Sequence, residues 1–237
     1  NLHPAQLQIF QSNKRFKIVA AGRRFGKSYL SAWLLLINAI QSESKDVFYI
    51  APTFQQAKDI MWSMLKELGR DLITQAYENT AVLTLINGRK IYLKGSDRPE
   101  TLRGVGLSYV VLDEYASMKP IVWEQIIRPT LADVKGRALF IGTPAGKNHF
   151  YDLYIDAFED DDWDAFQFTS TDNPFIPETE IKAASKTMSS MSFRQEFEAS
   201  FETNSGGIFK EEWFEKSEEP EEGSYVIAVD PAGFESI

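Results

Sequence analysis

Short apolar runs and helical-period stripes alternate through the first 170 residues. Residues 16–20 (FKIVA) are almost continuously apolar, the pattern of a strand buried on both faces. A glycine-bearing stretch follows, and residues 29–40 then read as an amphipathic helix. Residues 47–51 (VFYIA) predict a second buried strand, ending at Pro52. Phe54, Ala57, Ile60, Met61, Met64, Leu65 and Leu68 recur at helical spacing, with Gly69 as a stop. That stripe predicts core, not a binding surface. Residues 81–86 and 89–94, joined by Asn87-Gly88, predict a hairpin on a two-residue turn. Strands are predicted at 109–112 and 137–141, with a helix over 121–127 between them that ends near Pro129. A helix over 148–158 and a strand over 163–168 follow.

Alternating strands and helices predict an α/β fold with a mostly parallel central sheet flanked by helices. The texture changes after Ser170. Asp172-Asn173-Pro174 marks a turn, and 177–188 and 193–201 read as two modest helices. A break at 204–207 precedes residues 211–222, which hold seven glutamates and one lysine and read as a linker or solvated edge. Residues 225–229 (YVIAV) predict a fresh buried strand, ending in Asp230 seven residues before the chain stops. A second domain is expected to begin there and be cut off. The chain opens on Asn1, which reads as a processed or trimmed start.

Composition changes little of this. The 237 residues are 43% hydrophobic and 25% charged, the balance of an ordinary soluble globular protein. No apolar run approaches the roughly 20 residues that span a bilayer. Without cysteine, neither a disulfide framework nor a thiolate metal site is possible. The net charge of −9 conceals an asymmetry: residues 1–155 carry 20 Lys/Arg against 13 Asp/Glu, and residues 156–237 carry 5 against 21. A DNA contact confined to one basic face is compatible with that; two solvated surfaces of opposite sign are the alternative. Asp156, Glu159, Asp160, Asp161, Asp162 and Asp164 crowd together as a solvated helix end or turn rather than a metal cage.

The chemistry is concentrated in the octapeptide Ala21-Gly22-Arg23-Arg24-Phe25-Gly26-Lys27-Ser28. Strand, glycine-bearing loop and helix is the setting in which Gly-Lys-Ser binds phosphate. Backbone N–H groups and the helix N-terminus face the anion. Gly26 is expected to let the backbone approach the nucleotide, where a Cβ would collide. Lys27 would reach the β- and γ-phosphates, and the Ser28 hydroxyl would sit on Mg²⁺. Ala21 stands where the usual pattern has glycine, and a surface turn is the alternative. Asp113-Glu114 closes an apolar strand: Asp113 would hold Mg²⁺ through its water shell, and Glu114 would orient or deprotonate the attacking water. Thr143, in Ile141-Gly142-Thr143-Pro144, is a natural γ-phosphate sensor, a β-turn with Pro144 second being the alternative. Gln6, in His3-Pro4-Ala5-Gln6, could present its amide to adenine, and an exposed helix-start glutamine is the alternative.

Together these residues resemble the large subunit of a tailed-bacteriophage terminase, the ATP-driven motor that moves double-stranded DNA into a procapsid. The resemblance rests on the deviant phosphate loop with its early Arg23, on His3-Pro4-Ala5-Gln6, and on Gly95-Ser96 through Pro99 to Leu102-Arg103-Gly104. It rests also on Gly142-Thr143-Pro144 and on the acidic-ended strand at 226–230. It implies a phosphate-loop NTPase of the ASCE type over 1–170 and a helical lid or linker subdomain over 171–223. The first strand of an RNase H-like nuclease would follow over 224–237, with Asp230 as a metal ligand of an incomplete site. ATP and Mg²⁺ are the implied cofactors. The implied partners are double-stranded DNA, other copies of the chain in a ring, the portal protein and the small terminase subunit, with no membrane. The implied location is the host cell cytoplasm, transiently docked on the procapsid and absent from the mature virion. Arg23 would act within its own subunit near the γ-phosphate. Arg103, with Arg98 and Arg128 behind it, would be the finger inserted by a neighbour. Arg89, Lys90 and Lys94 on the hairpin are a candidate DNA contact. A helicase-like or other DNA-remodelling ATPase of the same fold, and a nucleotide-binding scaffold without turnover, are the rival functions.

Overall fold

The computed structural model describes residues 1–202. Asp230, the strand expected at 225–229, the acidic stretch and the break before it lie outside the described residues. The described chain begins with α1 (Pro4–Gln11), β1 (Phe16–Ala21), α2 (Lys27–Gln41), β2 (Asp46–Ala51) and α3 (Phe54–Leu68). An antiparallel meander of β3 (Ile73–Tyr77), β4 (Val82–Leu85) and β5 (Lys90–Gly95) follows. A 3₁₀ turn at Pro99–Leu102 leads to β6 (Leu107–Asp113). A π-helical segment, Val122–Ile127, runs into α4 (Arg128–Thr130), followed by β7 (Arg137–Gly142), α5 (His149–Asp156), β8 (Trp163–Phe168), α6 (Glu178–Thr187) and α7 (Ser190–Phe197). In the widened segment the Arg128 N–H donates to Trp123 O, five residues back. Pro129 follows directly and has no N–H to continue a regular ladder.

Eight strands form one sheet in the order β3-β4-β5-β2-β6-β7-β1-β8. From β5 to β8 every neighbouring pair is parallel. The expected α/β architecture is therefore present, and β7 lies between β1 and β6. Because successive side chains point to opposite faces, the apolar runs serve two cores. Ile18, Ala20, Val110, Leu112 and Phe140 join the core beneath the π-helical segment and α5. Val19, Ala21, Tyr49, Tyr109 and Val111 join the one beneath α2 and α3. In α3, Ala57, Met61, Trp62 and Leu65 are buried, as the stripe predicts. Thr53 and Gln56 cap its start reciprocally, satisfying two N–H groups that no helical carbonyl reaches. The two helices expected after Ser170 are α6 and α7.

Two details differ from expectation. The hairpin loop has three residues, not two: the Leu85 N–H donates to Arg89 O at 2.8 Å, and only Gly88 takes positive φ, at +79°. The Asn87 amide donates to Ala39 O and Ile40 O at the end of α2, which holds the loop in the form where Gly88 alone is left-handed. The strand β3 has no counterpart in the apolar pattern. Four of its five residues are exposed, so it lacks the run by which a strand is recognised.

Candidate active site

β1 is buried over all six residues and delivers the loop Gly22 to Gly26 to the C-terminal edge of the sheet. Gly26 is the N-cap of α2, with φ +96° and no side-chain cap, so the first-turn N–H groups of α2 have no side chain competing for them. A Cβ on Gly26 would sit 2.5 Å from the Gln6 Nε2. The glycine is thus favoured here by its left-handed backbone and by the close Gln6 amide of α1, in addition to the close ligand approach expected of it. Arg24 is also left-handed, at φ +59°.

The segment at the start of the chain is a buttress for this loop. His3 and Gln6 are both 3% exposed. The His3 Nε2 meets Phe25 O at 2.8 Å, and Nδ1 accepts the Gln6 N–H at 3.4 Å, which together require the Nε2–H tautomer. The Gln6 Nε2 donates to Gly26 O at 3.0 Å, and its Oε1 accepts the His3 N–H. In this structure the Gln6 amide is therefore engaged with the loop. Phe25, fully buried, stacks on Phe168.

Lys27 points back over the loop. Its ammonium donates to Ala21 O at 2.8 Å, Gly22 O at 3.1 Å and Thr143 Oγ1 at 3.0 Å. Burial pulls it below its ordinary pKa, while Glu114 and Asp113 oppose that shift. Ser28 follows, half-buried in the first turn of α2. Asp113 ends β6, 3% exposed, and pairs in register with Ile141 of β7, while Gly142 pairs with Ala20 of β1. The loop, Thr143 and the acid pair are thereby brought to three adjacent strand ends.

The Asp113 carboxylate accepts from the Tyr49 hydroxyl and from the Glu114 N–H at 3.0 Å. Burial pushes it up to about 6, Glu114 adds to this, and the Tyr49 bond and Lys27 work against it. Burial, and then Asp113, push the Tyr49 phenol well above its ordinary value. Glu114 is left-handed, at φ +53° and ψ +46°, a conformation that costs a non-glycine residue roughly 1 kcal/mol. Its Oε2 accepts the Thr143 N–H at 3.4 Å. A cavity of about 460 Å³ is lined by Arg23, Lys27, Glu114, Thr143 and Glu196 among others.

Residues after Ser170 close one side of this cavity. A Cβ on Gly22 would meet Phe197 O at 2.5 Å and Ser170 Oγ at 2.7 Å, so α7 packs directly on the loop. The Ser170 hydroxyl donates to Arg23 O, and the Asn173 amide to Arg24 O, each at 2.7 Å. The Arg23 guanidinium is paired with Glu196 of α7. A second cavity, about 520 Å³, lies on the other side of the loop against Arg24, Gly26, Phe175, Ile176 and Pro177.

Sequence reasoning singles out the loop, Lys27, Asp113, Glu114 and Thr143, and the fold brings them together. It misses Tyr49, Glu196 and Phe175. The one local signal is Phe175, which lies in the short stretch Pro174-Phe175-Ile176-Pro177 and stays 73% exposed. Arg103 is exposed after the 3₁₀ turn and does not line the cavity with Lys27 and Glu114. Arg98 lines a different cavity beside the start of α3. Arg128 lies over the Phe16 ring, 4.9 Å from its centre, where β1 begins rather than ends. Two of the three hairpin cations are engaged within the chain: Arg89 donates to Ser44 O, and Lys94 lies over Phe48 and Tyr92.

A parallel sheet with a phosphate-type loop on β1, an acid pair on β6 and β7 between them defines a phosphate-loop NTPase fold of the ASCE class. The family model described as the terminase large subunit, T4likevirus-type, N-terminal, matches residues 18–216, and the chain belongs to that family. It is 31% identical over 202 residues to the terminase large subunit of Escherichia phage T5, covering 82% of this chain and 46% of that one. It is 29% identical over 177 residues to that of Thermus phage G20c, covering 65% and 36%. The chain thus spans less than half the length of these relatives. The solved large terminase ATPase domain of Thermus phage P74-26 superposes with a TM-score of 0.75 at 24% identity, over 85% of this chain and 94% of that one. The large terminase of another thermophilic bacteriophage, solved in complex with ADP, superposes at 0.73 with 16% identity, over 85% of this chain and 54% of that one.

Proposed function

We propose that this chain is the ATPase motor region of a terminase large subunit, hydrolysing ATP to move double-stranded DNA into a procapsid. The observation that carries the reading is the link from Lys27 through Thr143 to Glu114 around one cavity at three adjacent strand ends. Residues 1–170 would be the catalytic core and 171–223 the lid, and Asp230 would begin a nuclease needing further carboxylates.

In this reading the triphosphate lies along the loop between β1 and α2, its oxygens taking the N–H groups of the first turn of α2. Lys27 exchanges its bonds to Ala21 and Gly22 for phosphate oxygens, and Ser28 and Asp113 would hold Mg²⁺. The donors available are a carboxylate and a hydroxyl, which suit a hard dication. Among the described residues there is no cluster of three or more His, Cys, Asp or Glu that would bind a metal unaided, so the ion would arrive with the nucleotide's own oxygens. When bound, it neutralises charge on the β- and γ-phosphates. Glu114 takes the proton of the attacking water, held in line by its left-handed backbone and the Thr143 N–H. Thr143 is then placed to register loss of the γ-phosphate. The adenine ring has two candidate partners. Gln6 could reach it only by giving up Gly26, whereas Phe175, Ile176 and Pro177 already offer apolar surface in a mixed cavity beside the loop.

Arg23 couples this chemistry to the lid. Its guanidinium is held by Glu196, and a γ-phosphate arriving in the shared cavity would compete for it. Arg103, exposed and not among the residues lining its own cavity, would serve a neighbouring copy in a ring docked on the portal, with the small subunit as a further partner. The site of action would be the host cytoplasm. No helix among the described residues is long and apolar enough to cross a membrane. The test is phosphate release by the wild-type chain and by Glu114→Ala. A loss of about 10²–10⁴-fold is expected for removal of a general base; equal rates would remove the mechanism. In the full-length protein, DNA uptake indifferent to Lys27→Ala would remove the packaging role.

A further inference from the structure

The opposite end of the sheet holds a polar cavity of about 170 Å³ that the nucleotide site does not use. It lies where β1, β6 and β7 begin, so Lys17, Tyr109 and Arg137 all face it, with Asn38 and Gln41 of α2 across from them. Lys17 is 4% exposed and Tyr109 3%. The Lys17 ammonium makes one hydrogen bond, to Ile9 O at 2.8 Å, leaving two of its three donors. The Tyr109 hydroxyl is fully buried and has no hydrogen-bond partner among the described residues. Among the described residues Arg137 donates only to the backbone oxygens of Ser12 and Lys14, at 3.4 and 3.2 Å.

Among the described residues no carboxylate lines the cavity. Neither cation is in an ion pair among the described residues. Asp164, the acid that acts on Lys17, takes the Ser12 hydroxyl at 2.5 Å. Two like charges beside an unpaired buried hydroxyl are costly neighbours: Lys17 is buried without a counter-charge, and the Tyr109 hydroxyl without any partner among the described residues. An anion relieves all three at once: it accepts from the ammonium, the guanidinium and the phenol, and it cancels the repulsion between the cations.

We propose that this cavity is a binding site for a small phosphate-type oxyanion held by Lys17, Arg137 and the Tyr109 hydroxyl. The strained electrostatics agree with it: burial, with Arg137 second, pulls the Lys17 ammonium down to about 8, and Asp164 only partly opposes that. The site is separate from the nucleotide loop and does not depend on the ATPase reading. Its ligand would sit at the roots of β1 and β6, the strands whose far ends carry Lys27's loop and Asp113.

Calorimetric titration of inorganic phosphate at constant ionic strength tests the site. The 237-residue chain carries Lys27→Ala throughout, so that residual binding at the nucleotide loop is common to every sample. One phosphate per chain should bind in that background, about tenfold or more weakly once Tyr109→Phe removes a hydrogen bond to a charged ligand. Arg137→Gln should weaken it further. Tyr109→Phe conserves volume and deletes only a buried unpaired hydroxyl, so it keeps the test valid if Arg137→Gln fails to fold. Absence of binding above a chloride control, or the same affinity with and without the Tyr109 hydroxyl, would overturn the assignment.

Discussion

The Tyr49 hydroxyl donates to Oδ2 of Asp113, tying the acid at the tip of β6 to the adjacent strand β2. Each residue faces the same buried layer, so the bond is shielded from water, and it favours the ionised form of a carboxyl that burial would otherwise keep protonated.

The pH dependence follows from its sign. The folded-state pKa of Asp113, about 6, lies above the ordinary Asp value near ~4. Its contribution to stability is therefore complete below the ordinary value and is withdrawn as pH rises through about 6. Urea denaturation across pH 4–7 should show wild type losing stability relative to Asp113→Asn over that interval. Tyr49→Phe should move the upper limit of the interval upward by about one unit, because a hydrogen bond to the charged form is lost. A wild type and Asp113→Asn that track each other across the interval would refute the protonation argument.

Glu114 separates strain from catalysis. Glu114→Gly should change stability by less than about 1 kcal/mol, because relief of its left-handed backbone is offset by the greater freedom of glycine in the unfolded chain. Glu114→Gln should leave stability nearly unchanged. Both should abolish most phosphate release while retaining nucleotide binding. Chemical denaturation and a binding titration on the same preparations check this, and loss of binding in Glu114→Gln would contradict a role confined to the chemical step.

Gly26→Ala should destabilise the chain by about 1–3 kcal/mol, since the new Cβ meets both an unfavourable φ and the Gln6 amide. Combining it with Gln6→Ala should recover only the steric part. Thermal melts of the single and double variants measure the two causes apart, and full recovery in the double variant would show that φ +96° carries no cost.

Arg23 and Glu196 form a contact between the loop and α7 that a γ-phosphate would contest. Glu196→Gln should free Arg23 and tighten binding of a non-hydrolysable triphosphate relative to the diphosphate, whereas Arg23→Ala should lower the same ratio. An unchanged ratio in both variants would mean that the pair is only a surface contact.

Strands β1, β2, β6 and β7 are legible because each is a largely apolar run, β5 and β8 because apolar and polar residues interleave, and α3 because its stripe is amphipathic and capped. β3 is not, since its exposed residues carry no periodic signal and its pairing with β4 supplies what order it has. Within the site, Gly26-Lys27-Ser28 and Asp113-Glu114 are strings of adjacent residues whose chemistry is visible locally. Tyr49 and Glu196 are not of that kind: their partners lie 64 and 173 positions away. Gln6 stands out in the chain but points toward a ligand there, and its burial against Gly26 emerges only once α1 has packed.

What the chain determined alone was chemical: a loop able to take phosphate, two adjacent acids at a strand end, and the β/α alternation that makes a parallel sheet. Those follow from side-chain type and from periods of two and about 3.6 residues, which act over short stretches of chain. What only the tertiary structure decided was adjacency. Placing β7 between β1 and β6 set Thr143 between Lys27 and Glu114, and packing α7 on Gly22 gave Arg23 its carboxylate. Strand order and helix docking depend on how distant surfaces fit one another, and no local pattern of residues encodes that fit.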